Sequence, residues 1–377
     1  MKYKGIFVVI LLVAGCAEEK KPHQDMFDAI LAHLMTEYKT TDGNWVEDFG
    51  DGSFYGQTFL VPWGVEKHRA EYIELGFLTA GFVNDLINQW KNEPLYYLDA
   101  GDDILMGNLG LYSTYEEYDA ACQLLVEKGS GCELRKDRLK ENIDWSVARW
   151  NETIASFDNY IPDMDIYAVY TYGNTVVTAL FAVLNEEYAR VFLGPAGTAH
   201  LETAGQLVED IHQKVWDEGL QAYRYKPTVT TLHLYPNIIM MVLYGRLYQL
   251  NGEQTYLERS RLLFDSIQPL KDHQRGGYNA PYSRETMGAQ TDDYKTLSSS
   301  CYTTLAMMTL YENTGDRAYL DEAGEVLDFI EEYLYTDGKA LHHWMDGEMA
   351  KPEHLEYYCT GCNLQLLFTI QYFWNLL

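Results

Sequence analysis

The sequence has few basic residues for its length. Across 377 residues, 28 Lys and Arg stand against 56 Asp and Glu, which gives a formal net charge of −28. A protein that binds nucleic acid needs a basic surface for the phosphates, so this composition excludes nucleic acid as a partner. The same charge makes polyanionic ligands less suitable than neutral ones.

The sequence also lacks the features that divide a chain or carry it through a membrane. Beyond the first 15 residues it has no apolar run of the roughly 20 residues that a spanning helix needs. No linker rich in Pro, Gly or Ser interrupts the chain, and alternating strand patterns are weak throughout. Residues 25–377 are therefore predicted to form one all-α domain.

The N-terminal segment has the pattern of an export signal. Lys2 and Lys4 precede an apolar stretch, Gly5–Ala14, that is too short to span a bilayer. The following Cys16 ends the run Leu-Val-Ala-Gly-Cys, which resembles the lipobox of bacterial lipoproteins. This resemblance implies a signal peptide over 1–15, a diacylglycerol on Cys16 and a tether over 16–24. The expected location is the bacterial cell envelope, periplasmic or at the surface. The alternative is an ordinary secretory signal followed by a chance cysteine.

Cysteine usage fits an oxidising compartment. Cys122 and Cys132 flank a short polar segment, so a local disulfide is predicted. Among Cys301, Cys359 and Cys362 we expect one disulfide and one free thiol. A zinc site is the alternative for Cys359 and Cys362, but it is less favoured because two clean ligand pairs are missing. No metal or cofactor is expected.

An internal repeat predicts an array of helical hairpins. Residues 247–258, LYQLNGEQTYLE, align with residues 310–321, LYENTGDRAYLD. Each copy ends one helix at Gly and opens the next with an acidic residue, as helix ends and starts require. A second repeated motif relates the two ends of the chain, because residues 41–43 and 336–338 both read Thr-Asp-Gly. The first helix is therefore expected to pack beside the last and to close a ring.

Two kinds of helix alternate in this array. Helices that are apolar nearly all round are expected inside the ring, and amphipathic ones outside. The predicted inner set is Tyr72–Leu86, Ile166–Leu184, Ile238–Leu250, Leu297–Tyr311 and Leu364–Trp374. The predicted outer set is Met26–Tyr38, Leu201–Trp216, Tyr256–Ile267 and Tyr319–Tyr333. Residues 114–157 do not sort clearly, so the fold class is an (α/α) toroid, or barrel, of five or six hairpins.

Candidate catalytic residues follow from this architecture. The N-termini of the inner helices meet at one mouth, where their dipoles and free N–H groups collect. Polar residues precede each inner helix there: Glu66, His68 and Arg69; Asp163 and Asp165; His233, Tyr235 and Asn237; Asp292, Asp293 and Lys295; His354, Glu356 and Tyr357. Glycosidic cleavage requires two carboxyl groups, one as acid and one as nucleophile or base. We assign these roles to Asp292 and Asp293, with Asp163, Asp165 and His233 as competitors.

Each candidate also has a structural interpretation. Asp292 or Asp293 could cap its helix, and His233 could be a hydrogen-bonded packing residue. The chain has 31 Tyr and 8 Trp, which suit the core as well as stacking against sugars. The predicted substrate-binding side chains at the mouth are Trp63, Tyr235, Tyr278, Lys295, Trp344 and Tyr357.

Part of the sequence resembles the six-hairpin glycosidase-like superfamily. The resemblance rests on Gly276-Gly277-Tyr278, on the run from Asp293 to Ser300, DYKTLSSS, and on residues 310–320 of the repeat. It covers residues 165 to 350 and is strongest for the bacterial α-mannanase family with an (α/α)6 barrel. In that family adjacent aspartates upstream of the Tyr-Lys helix form the catalytic pair. The stretch His233–Asn237 has no such pair, so those residues cannot be carried over.

The expected function is a carbohydrate-active enzyme, a glycoside hydrolase for a neutral glycan, acting as a monomer and attached to the membrane through its lipid. Two alternatives remain open at this point. One is a glycan-binding lipoprotein without catalysis. The other is a sugar epimerase or isomerase, for which His233 and His354 would act as acid and base. The sequence leaves the sugar and its linkage undetermined.

Overall fold

A computed structural model of the chain describes residues 20–38, 52–91, 101–154, 175–225, 231–280, 294–341, 343–345 and 359–377. Helices dominate these ranges. In chain order they are α1 Gln24–His33, α2 Gly52–Glu66, α3 Ala70–Trp90, α4 Gly101–Glu127, α5 Lys136–Ile154, α6 Thr175–Val191, α7 Pro195–Val215, α8 Leu234–Asn251, α9 Gln254–Ile267, α10 Leu297–Thr314, α11 Arg317–Phe329 and α12 Thr360–Leu376. None of them combines the length and the apolar character needed to cross a bilayer.

The helices form a closed double ring. The even-numbered helices are neighbours in the order α2, α4, α6, α8, α10 and α12, and α12 returns to α2. Each is covered by the odd-numbered helix that follows it, and α1 covers α12. The described helices thus make six hairpins, which settles the choice between five and six. Since every outer helix reverses the chain, all inner helices point the same way.

One predicted inner helix is an outer helix in the structure. The stretch Tyr72–Leu86 lies in α3, and residues 71, 74, 78, 85 and 89 form an exposed stripe along it. The inner partner is α2, which sequence analysis missed because glycines and Pro62 weaken its helical pattern. Glycine at position 76 is needed for packing, because a Cβ there would lie 2.5 Å from Val61 Cγ2. Small residues bring α2 and α3 close together.

The first and last helices close the ring, as predicted. The Phe27 ring lies 4.7 Å from that of Trp374, between centroids. The indole Nε1 of Trp374 donates a hydrogen bond to the Pro22 carbonyl oxygen at 2.7 Å. His23 is buried, and its Nδ1 lies 2.6 Å from Glu331 Oε2. Pro22 and His23, which fall within the predicted tether, thus contact the folded helices.

Short hairpins connect outer helices back to inner ones. The strands β1 Trp216–Asp217 and β2 Ala222–Tyr223 form one, and β4 Tyr335–Thr336 and β5 Lys339–Ala340 form another. In each case an asparagine in the first turn of the next inner helix holds the hairpin. The amide of Asn237 bonds both backbone groups of Tyr223, at 2.7 and 3.0 Å. The amide of Asn363 does the same to Ala340, at 2.9 Å for both.

The helix ends away from the mouth are cross-linked between neighbours. We call this end the base. Gln371 Nε2 donates to Glu66 Oε2 at 2.6 Å, and Tyr372 donates to Glu312 at 2.5 Å. Arg246 bridges two buried carboxylates of α6, Glu186 and Glu187. These bonds tie α2, α12 and α10 together on one side and α6 and α8 on the other.

Removing the chain from Glu356 onward is expected to unfold the whole domain. Both α1 and the inner helices α2 and α10 would lose their packing partner, and the cores of such rings unfold cooperatively. Circular dichroism and a thermal melt would test this, with deletion of the exposed Leu377 as the control. A truncated protein that keeps full helicity and a cooperative melt would indicate an open array instead.

Candidate active site at the mouth of the barrel

The mouth is the end where the inner helices begin, and α8 supplies its best-described side chains. His233 is the N-cap residue of α8, in an extended backbone conformation. Its ring stacks on Tyr225 with centroids 5.4 Å apart and an interplanar angle of 27°. Both rings are half-buried. They form a flat surface at the helix N-terminus, where backbone N–H groups and the helix dipole favour an approaching oxygen atom.

His233 is uncharged at neutral pH. Burial lowers the pKa of its imidazole to about 4. A neutral imidazole has one nitrogen that accepts a hydrogen bond or a proton and one that donates. His233 can therefore act as a base or as a hydrogen-bonding group towards a hydroxyl, which is more than the packing role considered for it.

Tyr235 lies beside His233, in the first turn of α8. Its ring packs edge-on against Tyr302 of α10, with centroids 5.5 Å apart. Tyr235 is half-buried, whereas Tyr302 is buried. An aromatic pair thus joins the N-terminal turns of two neighbouring inner helices, and its half-buried member is Tyr235.

Lys295 has a different role from the predicted one. It lies in β3 Tyr294–Thr296, which pairs with β6 His343–Met345 just before α10. The side chain of Lys295 is fully buried, and its Nζ is 2.6 Å from Asp272 Oδ2. A fully buried ammonium paired in this way cannot contact a substrate. Lys295 instead fixes the strand that leads into the inner helix.

Asp272 holds both this lysine and a tight turn. Its Oδ1 accepts hydrogen bonds from the backbone N–H groups of Gln274, at 2.9 Å, and Arg275, at 3.1 Å. Burial by itself would raise the pKa of Asp272, but the bonds from Lys295 and from these two N–H groups lower it to about 2. Asp272 is therefore ionised at all physiological pH values.

Sequence analysis missed Asp272, although a repeat marks it. Asp217 occupies the same place in the preceding hairpin and accepts bonds from Gly219 N and Leu220 N. In both hairpins the aspartate stands six residues before a buried tyrosine, Tyr223 or Tyr278. An alignment of these two segments would have identified Asp272 as a turn residue. Tyr225, the ring beneath His233, has no comparable signal.

Two predicted substrate contacts lie in the core. Tyr278 is buried, and its hydroxyl donates to Glu322 Oε1 of α11 at 2.5 Å. Trp63 is buried near the C-terminal end of α2, and its ring stacks on Phe59. Both rings serve packing, so we do not retain them as substrate contacts. The inner helix is α2 and not α3, and the inner helices end at the base. The three polar residues at the end of α2 therefore lie at the base: Glu66 is its last residue, and His68 and Arg69 follow it.

The structure shows which residue caps the N-terminus of α10, a role that was considered for Asp292 or Asp293. Thr296 is the cap residue, and its hydroxyl oxygen accepts from Ser299 N at 3.0 Å. The capping role considered for Asp292 or Asp293 is therefore filled by Thr296. Both aspartates lie outside the described residues, as do Asp163, Asp165, His354, Glu356 and Tyr357. Trp344 pairs with Lys295 through its backbone, and its side chain is outside the description.

The cysteines follow the predicted pattern. Cys122 and Cys132 form a disulfide, and so do Cys359 and Cys362, while Cys301 is a buried free thiol. The second disulfide lies at the start of α12, where Cys359 is the N-cap residue. Over the described ranges, no three His, Cys, Asp or Glu side chains are grouped so that they could bind a metal ion.

No protein-family model and no curated protein matches the sequence. Solved structures do match it. An α-mannanase of glycoside hydrolase family 76 from Bacteroides thetaiotaomicron has a TM-score of 0.64 at 11% identity, over 95% of this chain and 98% of that one. A D-mannose isomerase has a TM-score of 0.60 at 13% identity, over 94% and 97% of the chains. A glycosyl hydrolase of family 88 from Bacteroides vulgatus has a TM-score of 0.58 at 12% identity, over 93% and 99%.

At these identities the similarity establishes the fold. The chain has the (α/α)6 barrel fold; the sequence predicted an (α/α) toroid of five or six hairpins, and the structure has six. The matches span nearly the whole of both chains, so the barrel has no large missing or additional part relative to these proteins.

Proposed function

We propose that this protein is a carbohydrate-active enzyme whose active site is the mouth of the barrel. The observation that carries the proposal is the closed ring of six inner helices that presents His233, Tyr225 and Tyr235 at its N-terminal end. Aromatic faces stack on sugar rings, and a neutral imidazole bonds to hydroxyl groups. Proteins of the same fold are described as a mannanase, a mannose isomerase and a glycosyl hydrolase.

The proposed reaction is hydrolysis of a glycosidic bond in a neutral glycan. Asp292 and Asp293 are the proposed acid and nucleophile or base, since hydrolysis needs two carboxyl groups near the bond. They directly precede Tyr294 in the chain. The backbone around Tyr294 is held firmly, because its carbonyl accepts from Ala280 N at 2.6 Å and β3 pairs with β6.

Sugar isomerisation or epimerisation is the second candidate, and the neutral His233 favours it. A proton must be taken from one sugar carbon and returned, and a group with a pKa below the working pH can accept it. No paired carboxylate at the mouth is required for this reaction. His233 would then be essential, whereas Asp292 and Asp293 would not.

A screen separates these candidates. The domain without residues 1–16 would be incubated with neutral polysaccharides, and with mannose, glucose and cellobiose. Release of new reducing ends is the expected result. Conversion of free sugars without such release would assign the isomerase class. Binding without turnover of any sugar would contradict catalysis and favour a glycan-binding protein.

We also propose that Cys16 carries a diacylglycerol that holds the mature protein at the cell envelope. The lipobox pattern at residues 12–16 supports this proposal. Changing Cys16 to Ser is expected to abolish labelling with radioactive palmitate and to leave the protein unprocessed or soluble. If the Cys16→Ser protein still incorporates palmitate and partitions with membranes, the anchor lies elsewhere.

A further inference from the structure

The first described residues are bound to the base of the barrel. Lys21 Nζ lies over the Trp374 ring, 5.0 Å from its centroid, and Pro22 accepts the bond from the same indole. Burial raises the pKa of Glu66, the last residue of α2, but hydrogen bonds from Lys67 and Gln371 lower it, and the nearby charge of Lys21 adds a smaller lowering. Trp374 and Glu66 both stand near the C-terminal ends of inner helices. The chain therefore enters the fold at the base.

Few residues separate the proposed lipid attachment at Cys16 from the first described residue, Lys20. Three residues separate Cys16 from Lys20, and four peptide steps reach at most about 14 Å. A flexible tether of 20 residues would let the domain turn freely. A link of this length keeps the point of attachment at the base within about 14 Å of Cys16, and so close to the headgroups at which Cys16 would be anchored.

The residues at the base give a second observation, separate from the length of the tether: their composition suits contact with a lipid surface. Leu193, in the turn between α6 and α7, is 87% exposed, and Val126, near the end of α4, is 64% exposed. Acidic and basic residues are equally numerous, eight of each, in the base segments 20–25, 66–71, 127–137, 251–255 and 316–317. Lys20 in this set forms an ion pair with Asp25. On a chain with a formal net charge of −28, this end lacks the acidic excess that anionic lipids would repel.

From these observations we propose that the base is a membrane-contact surface: the barrel stands on the lipid bilayer with its base against the headgroups and its mouth pointing away. This inference rests on the proposed lipid at Cys16. It does not depend on the reaction at the mouth. A glycan bound from outside the membrane would then enter the site directly, and the membrane would not cover it.

Energy transfer to the membrane tests this orientation. The mature lipoprotein would be placed in vesicles of phosphatidylethanolamine and phosphatidylglycerol that carry a trace of acceptor-labelled lipid. Two matched variants carry the donor dye: Thr255→Cys, exposed in the first turn of α9 at the base, and Thr336→Cys, exposed in the hairpin at the mouth. Labelling is selective because Cys301 is buried and the other described cysteines are in disulfides.

The expected result is much stronger transfer from position 255 than from position 336. The two ends are separated by about the length of α8, whose 18 residues span roughly 27 Å. Inserting 20 Gly and Ser residues between Glu19 and Lys20 should remove the difference, because the domain could then turn. Equal transfer in the unextended protein, or stronger transfer from position 336, would overturn the proposal.

Failure of the anchor and failure of the orientation give different results. If the protein does not remain with the vesicles, the lipid at Cys16 is absent and the membrane contact falls with it. Turnover of glycans by the same sample is a separate measurement. If the sample turns over glycans, the proposed carbohydrate-active function is retained, whether the anchor or the orientation has failed.

Discussion

Replacing Asp293 by Asn is expected to lower kcat by about 10² to 10⁴-fold, the usual contribution of a positioned acid or base. Asn can neither attack as a nucleophile nor give a proton to the leaving oxygen. The fold should be unaffected, because Thr296 and not an aspartate caps α10. We expect the free energy of unfolding to change by less than about 1 kcal/mol, because Asn keeps the size of Asp and its capacity to form hydrogen bonds. Steady-state kinetics and thermal melts of the same preparations would measure both effects.

Asp292→Asn should behave in the same way, since the reaction needs both carboxyl groups. The matched control is His233→Gln, which keeps a hydrogen-bonding side chain at the N-cap of α8 but cannot take up a proton. Under the hydrolase proposal it should be affected less than either aspartate variant. If both aspartate variants keep near-parental turnover and His233→Gln loses it, the isomerase mechanism is favoured. If all three remain active, the acid must be sought at Asp163 or Asp165.

Replacing Lys295 by Met is expected to destabilise the protein by about 2 kcal/mol, the usual worth of a hydrogen bond to a charged group. The change removes the fully buried ammonium, while the half-buried carboxylate of Asp272 keeps Arg275, at 3.6 Å, and two backbone N–H groups as partners. Unfolding by urea at pH 7 would measure it. The control is Arg317→Met, which removes an exposed ion pair with Asp321 and should cost less than about 1 kcal/mol. Similar costs for the two variants would show that the buried pair contributes little.

The same pair predicts how stability depends on acid. The pKa of Asp272 is lowered to about 2 in the folded protein, from an ordinary value near 3.8. A lowered pKa means that the folded state favours the ionised form, so its stabilisation is complete above about pH 4. It is lost as the pH falls from about 4 to 2, by about 2–3 kcal/mol. Lys295→Met should flatten this part of the stability profile. The double variant with Asp272→Asn should recover part of the lost stability, because the half-buried carboxylate that has lost the Lys295 ammonium is then absent.

Local pattern was sufficient for much of the fold. The Gly that ends a helix and the acid that opens the next recur at residues 252–253 and 315–316, and both glycines have the positive φ that such ends need. The spacing of apolar residues separated inner from outer helices in the second half of the chain. The repeated Thr-Asp-Gly motif and the last helix predicted ring closure, and the contact of Phe27 with Trp374 confirms it.

Errors arose where a local signal was weak or where contacts were distant in sequence. The helix α2 was missed because Gly and Pro lower its intrinsic helical tendency, and burial on all sides compensates for this. Because α2 was missed, Glu66, His68 and Arg69 were predicted to lie at the mouth, whereas they lie at the base. Lys295 was expected to face a substrate, because it precedes a predicted inner helix at the mouth. Its partner is 23 residues away.

The sequence by itself determined the helical class, the repeat, the Cys122–Cys132 disulfide and the polar character of the segments that precede the inner helices. These properties depend on the order of residues within one or two turns, which the chain carries whether folded or not. The tertiary structure decided which helix lies inside, which end of the barrel each polar group reaches, and whether a charged side chain is exposed or paired. His233 was visible as a histidine, but its neutral state and its stacking on Tyr225 exist only once burial removes water and folding brings the two rings together.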